Sequence, residues 1–131
     1  MEELTKEQQD LLAERLDFLK HKRSKLKEIK TIYQWEEARE LIGFTLAQEE
    51  GFREEHRNYK DIIIVGLKRA NNKIKSAVEL IIKNKTQQAC DPYCDGINDL
   101  IIDYDRTIRQ IEEKEHLWQF FQDKDNAELS T

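Results

Sequence analysis

The sequence predicts an all-α fold: an antiparallel helical bundle of about four helices with a coiled-coil-like C-terminal helix. Apolar residues recur at intervals of three and four along most of the chain, and capping signals precede the apolar runs. Four glycines and one proline in 131 residues supply too little turn chemistry for an all-β protein. At 38% hydrophobic and 37% charged, the chain is too polar for a membrane span or a wide core. Residues 1–124 read as a single helical domain and residues 125–131 as a frayed polar tail.

Each helix has its own signal. Thr5 and Gln8 have capping-box spacing, and Leu12, Leu16, Leu19, Leu26 and Ile29 follow at helical steps with a polar gap at Arg23, so the first helix is expected over residues 6–30. Thr31 and Gln34 repeat the spacing and open a second helix carrying Trp35, Ala38, Leu41, Ile42, Leu46 and Phe52. A cap signal at Asn58 opens a third, whose stripe of Ile63, Leu67, Ala70, Ile74, Ala77, Val78 and Ile81 runs to about Lys85. Asp91 followed by Pro92 reads as the start of the fourth, with aspartate as cap and proline at the first helical position. In that helix Ile97, Ile101, Tyr104, Ile108, Ile111 and Trp118 fall on alternating steps of four and three, broken only by Glu115, a seam that requires a helical partner. Short connections favour a bundle; a first and second helix continuous through Thr31 would give a rod instead.

The net charge of -5 is laid out in blocks: acidic over residues 1–19, basic over 20–30, acidic over 31–57, basic over 58–90 and acidic over 91–131. Alternating blocks on helices suggest lateral attraction between neighbours rather than one field aimed at an outside ligand. The basic run Lys20–Lys30 closes the first helix, where the macrodipole favours cations, and in a hairpin it would lie beside Glu36, Glu37 and Glu40. With no interleaved aromatics and an acidic chain overall, these features argue against nucleic-acid binding. The stretch Ala38–Thr45 has the outline of a helix-turn-helix entry, but Glu49, Glu50, Glu54 and Glu55 would repel phosphates from the helix that follows.

Few chemical motifs are complete. Cys90 and Cys94 bracket the expected start of the fourth helix, where a thiolate at Cys94 would be favoured by the dipole, but their spacing is not that of a zinc site. Glu113 and His116 give a single Glu-x-x-His, where a di-iron bundle needs two such pairs and further glutamates. Residues 91–102 fail as an EF-hand, since Tyr93 and Ile102 stand where oxygen ligands belong. Two cysteines and an N-terminus Met1-Glu2-Glu3-Leu4 without a basic or apolar stretch point to a cytoplasmic, reduced setting.

The stretch Glu36-Glu37-Ala38-Arg39-Glu40 resembles the first metal-binding motif of all-α nucleotide pyrophosphohydrolases of the MazG type. That resemblance implies magnesium held by Glu36, Glu37 and Glu40 and hydrolysis of a nucleotide. The family's second motif, a Glu-x-x-Asp on a later helix, is absent; Asp95, Asp99 and Asp103 could supply oxygens or form a solvated face. The reading the sequence favours is a non-enzymatic interaction protein, a small regulator, inhibitor or assembly factor. It would need no cofactor, engage a protein partner through helix faces, and form a homo-oligomer. The expected anchors are the aromatics Trp118, Phe120 and Phe121, which cannot all face one narrow seam.

Overall fold

The computed structural model describes residues 4–113 and residue 121. Its helices are α1 (Lys6–Lys27), α2 (Trp35–Glu55), α3 (Ile63–Ile82) and α4 (Thr86–Glu112), with a 3-10 turn at Ile32–Gln34 leading into α2. They pack as an all-α bundle, and among the described residues there is no strand. Pairings such as Arg23 with Asp105, Lys20 with Glu112, Lys73 with Asp99 and Arg15 with Glu49 show that chain neighbours run antiparallel and that α4 closes the bundle against α1. No helix among the described residues is long and apolar enough to cross a membrane.

The first capping box forms as its spacing requires. Thr5 Oγ1 accepts from the Gln8 amide at 3.1 Å and Gln8 Oε1 accepts from the Thr5 amide at 3.0 Å. The second acts on the turn: Gln34 Oε1 accepts from the Lys30 and Thr31 amides, while its Nε2 donates to the Glu28 carbonyl. This one side chain satisfies the backbone between α1 and α2. Leu26, Ile29 and Ile32 are buried beneath it, so the chain makes a hairpin and not a rod.

Two helix starts differ from expectation. The third begins at Ile63 and not near Asn58, because Tyr59 turns inward and Asp61 Oδ1 accepts from the Ile63 amide at 3.2 Å, taking the capping role. It ends at Ile82, where Asn84 adopts a left-handed φ of 60° and the Lys85 amide donates to Leu80 O at 2.8 Å. That reversal starts α4 at Thr86 and leaves Pro92 inside the helix. Proline lacks the amide that would donate to Gln88 O, yet burial of Ala89, Tyr93, Gly96, Ile97 and Leu100 along the same face outweighs the lost bond.

The centre of the core lies between α3 and α4, the most extensively packed pair. Leu67, Ala70 and Ile74 of α3 and Ile97, Leu100, Tyr104 and Ile108 of α4 share one buried core, so three residues of the seam expected on the fourth helix, Ile97, Tyr104 and Ile108, are covered within the chain, while Trp118 lies outside the described residues. A Cβ on Gly66 would sit 2.5 Å from Asp103 Oδ2 and within 3.3 Å of Asp103 Cβ, so the absence of a side chain there sets the spacing of the pair. α1 and α2, by contrast, approach each other least closely of the neighbouring pairs.

Gly66→Val is accordingly expected to destabilise the fold by roughly 1–3 kcal/mol through overpacking. Gly51→Ala, whose added Cβ meets nothing within 4 Å, is expected to stabilise it by about 0.5–1 kcal/mol. Urea unfolding followed by helical circular dichroism measures both.

Candidate functional site

The inward face of α1 reads Leu12, Arg15, Leu19, Lys22, Leu26, with a cation at every second position of an otherwise apolar stripe. α2 answers with Ala38, Ile42, Thr45 and Glu49, so a glutamate that the sequence placed on a phosphate-repelling surface is buried at 1% exposure. Because the two helices stand apart, long polar side chains bridge the space between them.

At the open end of the seam, Arg15 holds two carboxylates. Its Nη1 donates to Glu49 Oε1 at 2.7 Å and its Nη2 donates to Glu49 Oε2, a bidentate pair; Nε and Nη2 also reach Asp61 Oδ2 at 3.2 and 3.0 Å. Arg53 adds a hydrogen bond to the Asp61 carbonyl at 2.7 Å. The Arg15 guanidinium carbon lies 4.3 Å from the centroid of the Phe52 ring, and Tyr59 meets Phe52 edge-on at 5.2 Å. Burial alone would weaken the Arg15 charge, but Glu49 and Asp61 outweigh it and raise its pKa. For Glu49 burial is the larger influence and pushes the carboxyl above the ordinary range against the pull of Arg15. Burial likewise drives the Tyr59 and Tyr104 phenols far upward, so both stay neutral.

One heptad further along α1, Lys22 is 8% exposed. Its ammonium lies 5.4 Å from the Phe18 ring and 5.2 Å from the Phe44 ring, and no carboxylate among the described residues pairs with it. Burial lowers its pKa, opposed by the field of Glu49.

Two clefts flank the cluster. One, of about 440 Å³, lies between α1 and α2 over Leu11, Phe18 and Phe52 with Glu14 and Glu55 at its rim. The other, of about 550 Å³, lies at the bundle end among Gln8, Glu54, His56, Tyr59 and Phe121. Both are open, and the Arg15 donors nearest them are already taken by carboxylates. The Arg15 cluster is suited to holding helices in register; His56, with its Nε2 3.7 Å from Glu55 Oε2, lines both clefts.

Of the expected aromatic anchors, Phe121 packs edge-on against Tyr59 at 5.6 Å and joins the margin of the core. Trp118 and Phe120, like His116 and the tail 125–131, lie outside the described residues. Glu36, Glu37 and Glu40 are exposed on α2; Glu37 accepts from Gln34 Nε2 at 3.2 Å. Among the described residues no group of three His, Cys, Asp or Glu is arranged to hold a metal ion. The basic end of α1 does not meet these glutamates: Lys20 and Arg23 pair with Glu112 and Asp105 of α4, each at 3.0 Å. Cys90 and Cys94 are free, and since α4 begins at Thr86, Cys94 stands in the third turn, beyond the reach of the helix-end dipole. The buried Arg15–Glu49–Asp61 cluster was not expected. Its signal was the heptad spacing of Leu12, Arg15, Leu19, Lys22 and Leu26, in which the cations read as interruptions.

The chain matches no protein-family model, no curated protein and no solved structure.

Arg15→Met leaves two buried carboxylates facing an apolar side chain and is expected to cost roughly 3–5 kcal/mol, whereas Arg15→Met combined with Glu49→Leu recovers most of that loss. Chemical denaturation of the three proteins tests this. For Lys22 the sign follows from a folded pKa below the ordinary 10.5: the folded state disfavours the ammonium, so stability is lowest where Lys22 is charged in both states and rises as the pH climbs from the depressed value towards 10.5. Lys22→Met is expected to raise Tm at neutral pH by a few degrees, roughly 1 kcal/mol, and its advantage over the wild type should shrink as the medium becomes alkaline. A constant difference across that range would contradict the assignment.

Proposed function

We propose that this chain is a non-enzymatic helical protein that acts by binding protein, in the first place another copy of itself, through exposed helix faces. The observation that carries this reading is the placement of large apolar side chains outside the bundle. Phe44 is 63% exposed on α2, Val65 57% and Ile82 72% on α3, and Ile62 49% at the α3 cap. Single exposed apolar groups are ordinary on a soluble domain, but four large ones on α2 and α3 are apolar area that association would remove from water. The charges that face inward support the same reading, because Arg15, Glu49 and Asp61 satisfy one another and hold helices together.

Sedimentation equilibrium and native mass spectrometry over a concentration series test the proposal. A concentration-dependent oligomer is expected; a monomer throughout would overturn self-association. A phosphate-release assay on nucleotides with magnesium tests the non-enzymatic part, with no turnover expected. Turnover that disappears in Glu37→Ala would overturn it and restore the carboxylates of α2 as metal ligands.

A further inference from the structure

The charge blocks are neutralised unevenly in the folded chain. α1 and α4 exchange ion pairs, as do α3 and α4 through Lys73–Asp99 at 2.8 Å and the longer Arg69–Asp103 at 3.9 Å. Between α2 and α3 the pairing is confined to their junction, where Arg53 meets Asp61. Along the rest of their length the outward charges have no ion-pair partner among the described residues: Glu36, Glu40 and Glu50 on α2, and Lys68, Lys75 and Lys83 on α3. The pattern has exceptions, since Arg39 is exposed on α2 and Glu79 on α3. The balance is still acid on one helix and base on its neighbour.

The same two faces carry contrasting relief. On α2 the outermost positions, at helical steps, are Glu36, Glu40, Gly43, Ala47, Gly51 and Glu54, all exposed, so a smooth strip of small residues lies between acidic ends. A Cβ on Gly43 or Gly51 would meet nothing within 4 Å. On α3 the outermost positions bear Val65, Lys68, Asn72 and Lys75, which stand proud of the helix.

We infer that the outer face of α2 and α3 is a two-fold interface between two copies of this chain, with the acidic, small-residue face of α2 packed against the basic face of α3 in the second copy. The inference rests on the self-association proposed above and names its surface. Self-pairing of α2 is excluded by charge, because Glu36 and Glu40 would confront the glutamates of the same helix in either direction. Pairing with α3 of the second copy sets the more acidic face against the more basic one, and a two-fold axis running along the helices makes the two contacts identical. Register agrees. With Arg53 level with Asp61 and a rise of about 1.5 Å per residue on both helices, Glu40 falls level with Lys75, Gly43 with Asn72, and Gly51 with the start of α3 near Val65. Under that axis each residue of α2 meets the α3 residue at its own height, so the Glu40 carboxylate faces the Lys75 ammonium and the Val65 side chain faces the small strip, while Lys68 lies beside Ala47 and Glu36 comes level with Glu79. Helices of 21 and 20 residues present a face roughly 30 Å by 20 Å, on the order of the ~800 Å² per partner that specific dimers bury.

Charge exchange tests the pairing with the full-length chain. Glu36→Lys with Glu40→Lys makes one variant, and Lys68→Glu with Lys75→Glu makes the other. All four residues are exposed, so both variants should keep wild-type helicity and Tm within a few degrees. Each alone is expected to lose the wild-type dimer, with at least a ten-fold weaker dissociation constant, and an equimolar mixture is expected to form a one-to-one heterodimer. Wild-type association should weaken with added salt, and Gly43→Leu should weaken it without loss of helicity. If both charge variants dimerise like the wild type, or if the mixture fails to restore the dimer, the α2–α3 interface is overturned. Dimers that survive the charge variants but dissociate in Trp118→Ala would move the contact to the C-terminal aromatics and leave self-association standing. A wild type that is monomeric at every concentration would overturn both.

Discussion

The buried Arg15–Glu49–Asp61 cluster fixes how the first half of the molecule is joined to the second. Arg15 belongs to α1, Glu49 to α2, and Asp61 to the corner where it also caps α3, so three elements meet at one guanidinium. A buried ion group of this kind is not an efficient source of stability, since desolvation takes back much of the Coulombic gain. Its clearer effect is on register. In a stripe that repeats every seven residues, α1 could slide by one heptad and set Lys22 against Glu49. A lysine there could contact the carboxylate only as a point charge, whereas the planar fork of Arg15 meets Glu49 with two donors and still reaches Asp61 with a third. The directional demand of arginine thus selects one alignment of α1 where the apolar pattern alone would tolerate two.

This constraint is needed because packing is uneven. α3 and α4 interlock through apolar ridges, with Gly66 permitting Asp103 to lie against the α3 backbone, and leave no choice of register. α1 and α2 are set wider, and their interface is made of Arg15, Lys22, Glu49 and rings that lie over the cations. The bundle therefore combines a rigid apolar half with a polar seam. The clefts open along that seam because long charged side chains bridge a gap without filling it.

How much of this was legible in the sequence follows from what kind of force decided each feature. Local forces were readable: the Thr5–Gln8 box, the apolar steps of the four helices and the short turn at residues 28–34 all formed within a few residues of expectation. The errors arose where tertiary contacts outweighed a local signal. Asn58 is a good cap in isolation, but insertion of Tyr59 beside Arg15 hands the role to Asp61. Asp91-Pro92 is a strong start signal, but the left-handed Asn84 had already turned the chain, and an apolar face from Ala89 onward carried the helix through proline. Glu49 was invisible as a core residue because its partner lies 34 positions away, and no periodicity argument pairs residues across such a distance.

The charge blocks illustrate the same limit at the scale of the whole chain. Lateral attraction between successive helices would have joined the basic end of α1 to the acidic start of α2, yet Lys20 and Arg23 turn to α4 instead. The reason is geometric: α1 and α2 diverge around the buried cluster, while α4 lies directly alongside α1 and offers Asp105 and Glu112 at the right height. Once α4 has taken Lys20 and Arg23 of α1, and its Asp99 and Asp103 have taken Lys73 and Arg69 of α3, the outward carboxylates Glu36, Glu40 and Glu50 of α2 are left without an ion-pair partner among the described residues, and Lys68, Lys75 and Lys83 of α3 likewise. Two adjacent helices then carry opposite, uncompensated charge on outward faces, a consequence of which neighbours the core allowed to touch. Such a residue of unpaired charge is cheap in water and adds little to the stability of the single chain. It is also the kind of pattern that can distinguish one docking partner and one orientation from the alternatives, because wrong pairings bring like charges together.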